Sequence, residues 1–567
     1  MQLATLDWAI VISILASTML IGFLVSKRAS KNSASYFLAG QSMPWWLLGI
    51  SMVATTFAAD TPNLVTDIVR SQGVAGNWVW WAMLLTGMLT TFVYAKLWRR
   101  LGITTDVEFY EHRYTGKPAR FLRGFRALYL GLFFNVMIMA NVTLAAVKIG
   151  SVLFGIDPTM VIVLACVITV IFSTLGGFLG VLITDMLLFV VAMVGSILAA
   201  YFAVNHPEVG GLSQMLQHEV VSEKLAFLPD FSNPDLYIPL LVIPLLVQWW
   251  SVWYPGAEPG GGGYIAQRML AAKDENHALA ASAFFNLCHY AVRPWPWILV
   301  ALASIIVFPD LASLKAAFPN VPAHLVKDDL AYSAMLTFLP AGVLGLVVAS
   351  LVSAYVSTIS TSLNWGASYF VNDFYKRFVK PDADDKQQVL VGRIATVVLM
   401  LCASLMALLL ENALQGFRLL LTIGAGTGLL FLLRWFWSRI NAWSEISAMI
   451  FSFLVSMFFE FGPFSDLLGW QKMLLSVGVT TLGWLSITLV TQPESQETLN
   501  AFWNKIQFSR TDLVKGLLIA LAATIGVYAA LFATGFWLYG EIVNAIVLTS
   551  IAAITGVITF KYGLKPS

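Results

Sequence analysis

Apolar runs of about 20 residues recur from one end of the chain to the other, and mostly short polar connections separate them. A helix of about 20 apolar residues is long enough to cross the hydrocarbon core of a bilayer. The pattern therefore predicts fifteen membrane spans, with Gly176-Gly177 as either a tight turn between two of them or a kink. These spans are 7–26, 44–66, 77–98, 124–154, 158–176, 178–204, 236–257, 277–307, 341–370, 389–410, 414–436, 441–462, 470–491, 513–538 and 540–560.

Two predicted spans are interrupted at comparable depth. The first break, Ala58–Asn63, places an acid, a proline and an amide inside span 44–66, and the second runs from Trp253 to Pro259 and continues into Gly260–Gly263. Unwound backbone survives at membrane depth only where it faces protein or a water-filled cavity. The spacing of five spans between the breaks is typical of two inverted five-helix repeats with discontinuous first helices. A polyglycine linker is the alternative for the second break, although flanking Trp and Pro are not typical of linkers.

This pattern predicts an all-α polytopic membrane protein in four parts. They are an N-terminal helix and loop (1–43), a first repeat (44–204), a second repeat (236–436) and additional C-terminal helices (441–567).

Composition agrees with this class, because 58% of the residues are hydrophobic and only 11% are charged. Most of the 33 Lys and Arg residues fall on one side if the N-terminus is outside and the C-terminus inside, so we expect that orientation in the cell membrane. A net charge of +2 gives no indication of nucleic-acid binding. The three cysteines lie singly in apolar runs and favour neither a disulfide framework nor a metal cluster. No catalytic constellation or phosphate-binding loop is visible, so we expect neither an enzyme nor an organic cofactor.

Small hydroxyl side chains are concentrated in span 341–370. One helical face carries Ser350, Ser353, Ala354, Ser357, Thr361 and Asn364, and Thr358 and Ser360 flank it. Such a face is suited either to helix–helix contact or to a hard cation with oxygen ligands. The residues alone leave both interpretations open.

Ionisable residues at membrane depth are costly, at about 2.5–3.5 kcal/mol each on insertion scales, and they mark candidate functional positions. Asp185 could cap or pair within the bundle, or it could supply the negative charge that holds a cation. Arg293 could pair with Asp60 or Glu258, or it could meet an anionic group of a substrate. Lys148 lies near a helix end, where we expect its side chain to extend towards the interface.

Several motifs resemble those of the sodium:solute symporter family, and the resemblance covers about residues 30–440. The motifs are Tyr36–Gly40 (YFLAG), Thr105–Phe109 (TDVEF), Gly176-Gly177 with Thr184-Asp185, Gln267–Asp274 (QRMLAAKD) and Ser357–Asn364 (STISTSLN). The family resemblance implies a LeuT-type fold, with one helix before the two repeats and about four after them.

The resemblance also implies sodium sites. The first would use main-chain oxygens of Ala54, Phe57 and Ala354 with the hydroxyls of Ser357 and Thr358. A second site, present in some family members, would use Asp185, Ser357, Ser360 and Thr361. Both sets are present in this chain, which implies that two Na⁺ ions accompany each transport cycle.

The expected function is sodium-coupled import of a small polar solute by alternating access, by a carrier unit that is monomeric and surrounded by lipid. A sugar, a sugar acid, an amino acid or an organic anion fits this description, and a transport-inactive sensor with the same fold is the alternative. The candidate substrate residues are Asp60, Thr61, Asn77, Trp80, Gln248, Trp253, Glu258, Asn286 and Arg293.

Overall fold

The fold is helical throughout the part of the chain that the computed structural model describes. That part comprises residues 3–29, 31–251, 258–319, 321–323, 326–409, 424, 426–464 and 466–564. Eleven of the described helices are long and apolar enough to cross a membrane, and three shorter apolar helices accompany them. The class of fold is therefore as predicted, whereas the count of fifteen spans is not confirmed. Residues 414–423 and 425 of predicted span 414–436 lie outside the described residues.

The N-terminal half contains seven main helices. They are α1 (Thr5–Ala29), α2 (Trp45–Thr56), α3 (Thr61–Gln72), α4 (Val74–Leu101), α5 (Gly116–Phe154), α6 (Pro158–Thr174) and α7 (Gly177–Val204). Short helices Ser33–Leu38 and Phe109–Arg113 lie in connections. Helix α7 follows α6 without a connecting loop, and only Gly177 between them departs from the helical conformation, with φ 53° and ψ −163°. The glycine pair is therefore a kink.

The following region contains six main helices. They are α8 (Pro234–Trp250), α9 (Gly263–Ala271), α10 (Glu275–Val307), α11 (Val343–Val379), α12 (Asp385–Leu409) and α13 (Gly428–Leu433). The C-terminal part adds α14 (Ala442–Phe461), α15 (Gly469–Val490), α16 (Gln496–Ile506), α17 (Arg510–Tyr539) and α18 (Ile542–Leu564). Short helices Leu212–Gln217, Glu219–Ser222, Leu311–Ala317 and Leu330–Leu336 occupy two long connections.

The first predicted break is present. Helix α2 ends at Thr56, Phe57 follows with φ −88° and ψ 70°, and α3 begins at Thr61 with Pro62 in its first turn. Proline is favoured there because the first-turn N–H groups have no partner within the helix. The carbonyl groups at the end of α2 and the N–H groups at the start of α3 thus meet at membrane depth.

Helix α11 lies in the centre of the bundle. It packs against α1, α12 and the segment formed by α6 and α7, and its side chains from Ser353 to Tyr369 are buried. Asp7 of α1 accepts hydrogen bonds of 2.7 Å from the backbone N–H groups of Gly342 and Gly345. It thereby satisfies orphan donors at the start of α11, and α11 is fixed at the end that precedes its hydroxyl-rich segment.

Ion pairs join the helices at both ends of the bundle. We call the end that carries connection 102–115 the basic side. There Arg123 contacts Asp373 and Glu111 at 2.7 Å. On the opposite side Arg70 pairs with Asp328 at 2.8 Å, and Lys148 pairs with Asp329 at 2.7 Å. The Lys148 side chain, which is expected to extend towards the interface, reaches the connection between α10 and α11 at this end of the bundle, where its ammonium group is buried against the Asp329 carboxylate.

Candidate functional site

The hydroxyl-rich segment of α11 packs against the end of α2. The Thr358 hydroxyl donates a 2.8 Å hydrogen bond to the main-chain oxygen of Thr55, and the hydroxyls of Thr55 and Thr361 lie 3.1 Å apart. One α11 hydroxyl therefore bonds a carbonyl group of the last turn of α2. The two helices form a wall of oxygen atoms beside the first break.

All five candidate residues for the first sodium site are at this junction and are buried. Ala54 and Phe57 are at the end of α2, and Ala354, Ser357 and Thr358 face them from α11. The last carbonyl groups of a helix have no partner within it and carry the negative end of the helix dipole. Carbonyl and hydroxyl oxygens are ligands that suit a hard cation, so the donor set fits Na⁺ chemically.

Asp185 of α7 lies directly beside this wall. Ser357 donates to its Oδ1 at 2.6 Å, and Ser51 of α2 donates to its Oδ2 at 2.5 Å. Both carboxylate oxygens are thus held, and the side chain is fully buried. The carboxylate connects α2, α7 and α11. Residues of α2 and α11 form the first predicted sodium site, and residues of α7 and α11 form the second.

Arg268 of α9 extends into the same cluster. Its Nη2 donates to Thr361 Oγ1 at 2.8 Å and to Thr55 Oγ1 at 3.1 Å, and lies 3.9 Å from Asp185 Oδ2. Its Nε donates to Ser51 Oγ at 3.2 Å. The guanidinium group is therefore the described cation nearest to the second candidate sodium site.

The remaining second-site hydroxyl, that of Ser360, donates to the main-chain oxygen of Ser357 at 3.1 Å. Asp185, Ser357 and Thr361 thus belong to one buried cluster with Ser51, Thr55 and Arg268, and Ser360, next to Thr361 on α11, is buried as well. Thr361 already accepts a hydrogen bond from Arg268, however, so a cation there would share its ligands with a guanidinium group.

Three residues of this cluster were not among the predicted ligands: Ser51, Thr55 and Arg268. Ser51 and Thr55 are four residues apart, which places them on one face of α2, and that spacing is a usable signal. Arg268 stands in the QRMLAAKD motif, but its sequence position alone predicts a location near the membrane surface. In the structure, however, Arg268 on α9 is fully buried.

A second group of residues lies on the other side of the α2 end. Arg293, at the start of the last segment of α10, donates through Nη1 to Val53 O at 3.2 Å and to Thr56 Oγ1 at 3.1 Å. Its Nη2 lies 2.8 Å from His289 Nδ1. Thr56, Asp60 and Thr61 keep part of their surface accessible here, whereas the rest of segment 51–61 is buried. Substrate candidates Asp60, Thr61 and Arg293 therefore lie around the first break.

Trp80 extends this group, since its ring lies 5.8 Å from that of His289 and stacks on Tyr290 at 5.9 Å. The amide groups of the other candidates make structural contacts. Asn77 accepts from the Trp80 indole at 2.8 Å, and Gln248 donates to Val79 O at 2.6 Å. Asn286 donates to Ser282 O at 2.9 Å and to Gly87 O at 3.2 Å. These three amides support the walls of the region.

Glu258 lies elsewhere. Glu258 precedes α9, and its carboxylate is 3.7 Å from Arg126 of α5, near the basic side. The suggested Glu258–Arg293 pair is not present, and no ion pair within 4 Å joins Arg293 to Asp60 in the described part of the chain. Trp253 falls outside the described residues.

A discontinuous helix beside a central hydroxyl-lined helix and a buried carboxylate is the architecture of a LeuT-type secondary transporter. The profile of the sodium:solute symporter family matches residues 36–452. The chain therefore belongs to the sodium:solute symporter family, a family of transporters.

Comparison with individual proteins agrees with this assignment. The chain is 29% identical to a sodium/glucose cotransporter of Vibrio parahaemolyticus over 467 residues, which cover 78% of this chain and 83% of the relative. It is 26% identical to a sodium/sialic acid symporter of Proteus mirabilis over 478 residues, covering 82% and 90%. A solved structure of a Na⁺-coupled sialic acid symporter, described as substrate-bound and outward-open, aligns with TM-score 0.70 at 22% identity, covering 87% of this chain and 99% of that one. This likeness supports the LeuT-type fold.

Proposed function

We propose that this protein is a sodium-coupled secondary-active symporter that imports a small polar solute by alternating access. The observation that carries the proposal is the junction of α2 and α11, where Thr358 bonds the Thr55 carbonyl beside the first break. Family membership and the named activities of the relatives support the coupling to sodium. The solute is a sugar, a sugar acid, an amino acid or an organic anion.

Two sodium sites are part of this proposal. The first consists of Ala54, Phe57, Ala354, Ser357 and Thr358, and the second of Asp185, Ser357, Ser360 and Thr361. Because Ser357 belongs to both and bonds Asp185 at 2.6 Å, occupancy of one site changes the environment of the other. The first site offers only neutral carbonyl and hydroxyl oxygens, whereas the second also offers the negatively charged carboxylate of Asp185.

Two ions per cycle would matter energetically. Each Na⁺ entering across about 100 mV contributes roughly 2.3 kcal/mol, and a tenfold concentration gradient adds about 1.4 kcal/mol. An anion entering with the ions would cancel the potential contribution of one of them. For a solute without net charge, one ion can then sustain a gradient of several hundredfold, since every 1.4 kcal/mol is a factor of about ten. A second ion squares that ratio, which is useful when the solute is dilute.

The solute region in this proposal surrounds the first break. Asp60, Thr61, Trp80 and Arg293 face it or border it, and Asn77, Gln248 and Asn286 position its walls. Residues 44–204 and 236–436 act as the two inverted repeats, and 1–43 and 441–567 are additions to them. The carrier functions as a monomer in the cell membrane, with its N-terminus outside and the basic side inside.

Uptake by the purified protein in proteoliposomes tests this proposal. We expect accumulation of a solute that requires an inward sodium gradient and increases when the interior is made negative with K⁺ and valinomycin. Accumulation that persists without sodium, or that follows a proton gradient alone, would exclude sodium coupling. Tight solute binding without any uptake would indicate a sensor.

The sodium stoichiometry is tested separately by substituting Asp185. We expect the Hill coefficient for sodium to lie between one and two in the wild type and to fall to one in Asp185→Ala. The reason is that the second sodium site loses its carboxylate ligand, whereas the first site keeps all five of its proposed ligand residues. A Hill coefficient that does not change would refute the two-ion mechanism and leave sodium coupling itself intact.

A further inference from the structure

Arg293 is a buried cation in the middle of the membrane domain, and only 1% of its surface is exposed. Its guanidinium group lies 5.1 Å from the ring centre of Trp297 and 5.7 Å from that of Phe57. Arginine cannot be deprotonated in proteins, so the positive charge is retained at this position. Charged side chains at membrane depth are rare and are functional by default.

Every hydrogen-bond partner of this guanidinium group within the described residues is neutral. Nη1 donates to the Val53 carbonyl and the Thr56 hydroxyl. Nη2 donates to His289 Nδ1 at 2.8 Å, which requires that nitrogen to be unprotonated and the imidazole to be neutral. These contacts orient the arginine side chain but do not compensate its charge.

Two N–H groups of Arg293 remain without a described partner. Nε is buried and donates no hydrogen bond, and Nη2 uses one of its two N–H groups on His289. Nε and Nη2 share one edge of the guanidinium group, and this edge forms bidentate pairs with carboxylates. Leaving charged donors buried and unpartnered is expensive, and the geometry of this edge fits an acceptor with two oxygens.

The Asp60 carboxylate does not pair with this edge of the Arg293 guanidinium group. It is close enough to interact electrostatically with Arg293, but no ion pair within 4 Å joins the two side chains among the described residues. Asp60 instead keeps part of its surface accessible, as do Thr56 and Thr61 at the same break. A buried positive group and a partly accessible negative group thus flank the first break without forming an ion pair.

We propose that Arg293 binds the carboxylate of the transported solute through its Nε and Nη2 edge, and that the solute is therefore an organic acid. Asp60 accepts hydrogen bonds from donor groups elsewhere on the same solute. A monoanionic carboxylate matches one guanidinium group, whereas a phosphate dianion would need further cations, and none is described within ion-pair distance of this arginine's edge. This inference rests on the proposed transport function, since it names the class of solute for that site.

Ligand-induced thermal stabilisation of the full-length protein in lipid nanodiscs tests the inference. The probes are matched pairs of an acid and its neutral counterpart: D-glucuronate and D-glucose, N-acetylneuraminate and its methyl ester, and L-lactate and L-lactamide. Each compound is measured in sodium chloride and in choline chloride. We expect at least one acid to stabilise the wild type in sodium while its neutral counterpart does not.

The variants separate the role of Arg293 from a general loss of stability. Arg293→Gln is expected to weaken binding of the acid by roughly tenfold to a hundredfold, the range of a hydrogen-bonded charge contact. Arg293→Lys keeps the positive charge but lacks the edge with two N–H donors. Its affinity for the acid should therefore lie between those of the wild type and Arg293→Gln. Arg377→Gln is the matched control, since it removes an arginine that contacts Glu111 on the basic side. We expect its affinity for the acid to equal that of the wild type.

The outcomes distinguish the two proposals. A neutral compound that binds as well as its acid, acid binding that survives Arg293→Gln, or no stabilisation by any acid would overturn the carboxylate assignment. Sodium-dependent binding of a neutral compound would overturn it and leave the symport proposal standing. Acid binding that requires Arg293 but not sodium would support the assignment and contradict sodium coupling.

Discussion

Arg268 Nη2 lies 3.9 Å from Asp185 Oδ2, and both side chains are fully buried. The guanidinium group also donates to Thr361 and Ser51, so it occupies the cluster in which we propose the second sodium site. A buried carboxylate without a compensating cation is strongly unfavourable. Arg268 therefore supplies the positive charge that Asp185 requires when sodium is absent.

This relationship predicts the behaviour of Arg268→Gln. The variant leaves the Asp185 charge uncompensated, and breaking a buried pair of this kind costs about 3–5 kcal/mol. We expect a lower melting temperature in choline chloride and a larger increase on adding sodium than in the wild type, because sodium then replaces the missing cation. Melting curves at increasing sodium concentration measure both effects.

The control for Arg268→Gln is Arg377→Gln, which removes a more exposed arginine of α11. Its response to sodium should match that of the wild type. If Arg268→Gln lowers the melting temperature equally in sodium and choline, the arginine has a packing role only, and competition with sodium at Asp185 is excluded.

The hydroxyl of Thr358 gives a second prediction. Thr358→Val keeps the shape but removes the hydrogen bond to Thr55 O and one proposed ligand of the first sodium site. We expect about 1 kcal/mol of destabilisation in choline, the usual value of one hydrogen bond, together with a tenfold or greater rise in the sodium concentration for half-maximal uptake.

Thr358→Ser is the matched variant, because it keeps the hydroxyl and loses only a methyl group. It should have nearly the sodium dependence of the wild type. Equal sodium dependence in the valine and wild-type proteins would show that the Thr358 hydroxyl is not a ligand. The stability measured in choline shows in each case whether the variant is folded.

Much of this arrangement could be predicted from the sequence. The apolar runs gave the helices, Pro62 and Asp60 marked the first break, and the 3.6-residue period placed Ser357 and Thr361 on one face of α11. Asp185 and Ser357 could be assigned to neighbouring sites because both occupy family motif positions, and they are 2.6 Å apart. Local patterns were sufficient wherever one helix face or one motif determined the outcome.

The contacts between distant segments could not be predicted. Arg268 meets Thr55 across 213 residues of sequence, and Lys148 meets Asp329 across 181. Both cations look like interfacial residues when only their own helices are considered. Glu258 was assigned to the solute region because it follows a break, but the path of the chain there places it beside Arg126. The position of a segment beside a predicted helix break depends on its packing against distant segments, and the local sequence pattern does not determine that packing.

The paired aspartates between α10 and α11 give a third prediction. Asp328 holds Arg70 of α3, and Asp329 holds Lys148 of α5. The basic side chains are 4% and 5% exposed and the acidic ones 32% and 19%, so each pair is intermediate between a surface and a buried ion pair, and we expect about 1–2 kcal/mol for each.

In the double variant Asp328→Asn with Asp329→Asn, we expect faster hydrogen exchange in helix Leu330–Leu336 and weaker solute binding, because the connection is released from α3 and α5. Hydrogen exchange with mass spectrometry measures this. Asp310→Ala is the control, since Asp310 caps the neighbouring helix Leu311–Ala317 and loss of the cap should increase exchange there alone. Unchanged exchange in Leu330–Leu336 would show that these pairs do not hold the connection in place.

Glu111, in connection 102–115, gives a prediction about pH. Burial raises the pKa of its carboxyl group, but hydrogen bonds from Arg377 and Arg123 outweigh this effect, so the pKa lies below its ordinary value of 4.5. A lowered pKa in the folded state stabilises the fold above the unfolded pKa, and this contribution is lost as the pH falls through the folded pKa. The relevant window therefore begins near pH 4.5 and extends to lower pH.

We expect Glu111→Gln to lower the melting temperature at neutral pH and to lose less stability than the wild type when the pH is reduced through that window. Because Glu111 is partly solvated, the difference should be small and should decrease at high salt, which screens exposed charges. Glu208→Gln, at an exposed position between α7 and α8, should follow the wild-type curve. Parallel curves for Glu111→Gln and the wild type would show that the contacts with Arg123 and Arg377 do not stabilise the basic side.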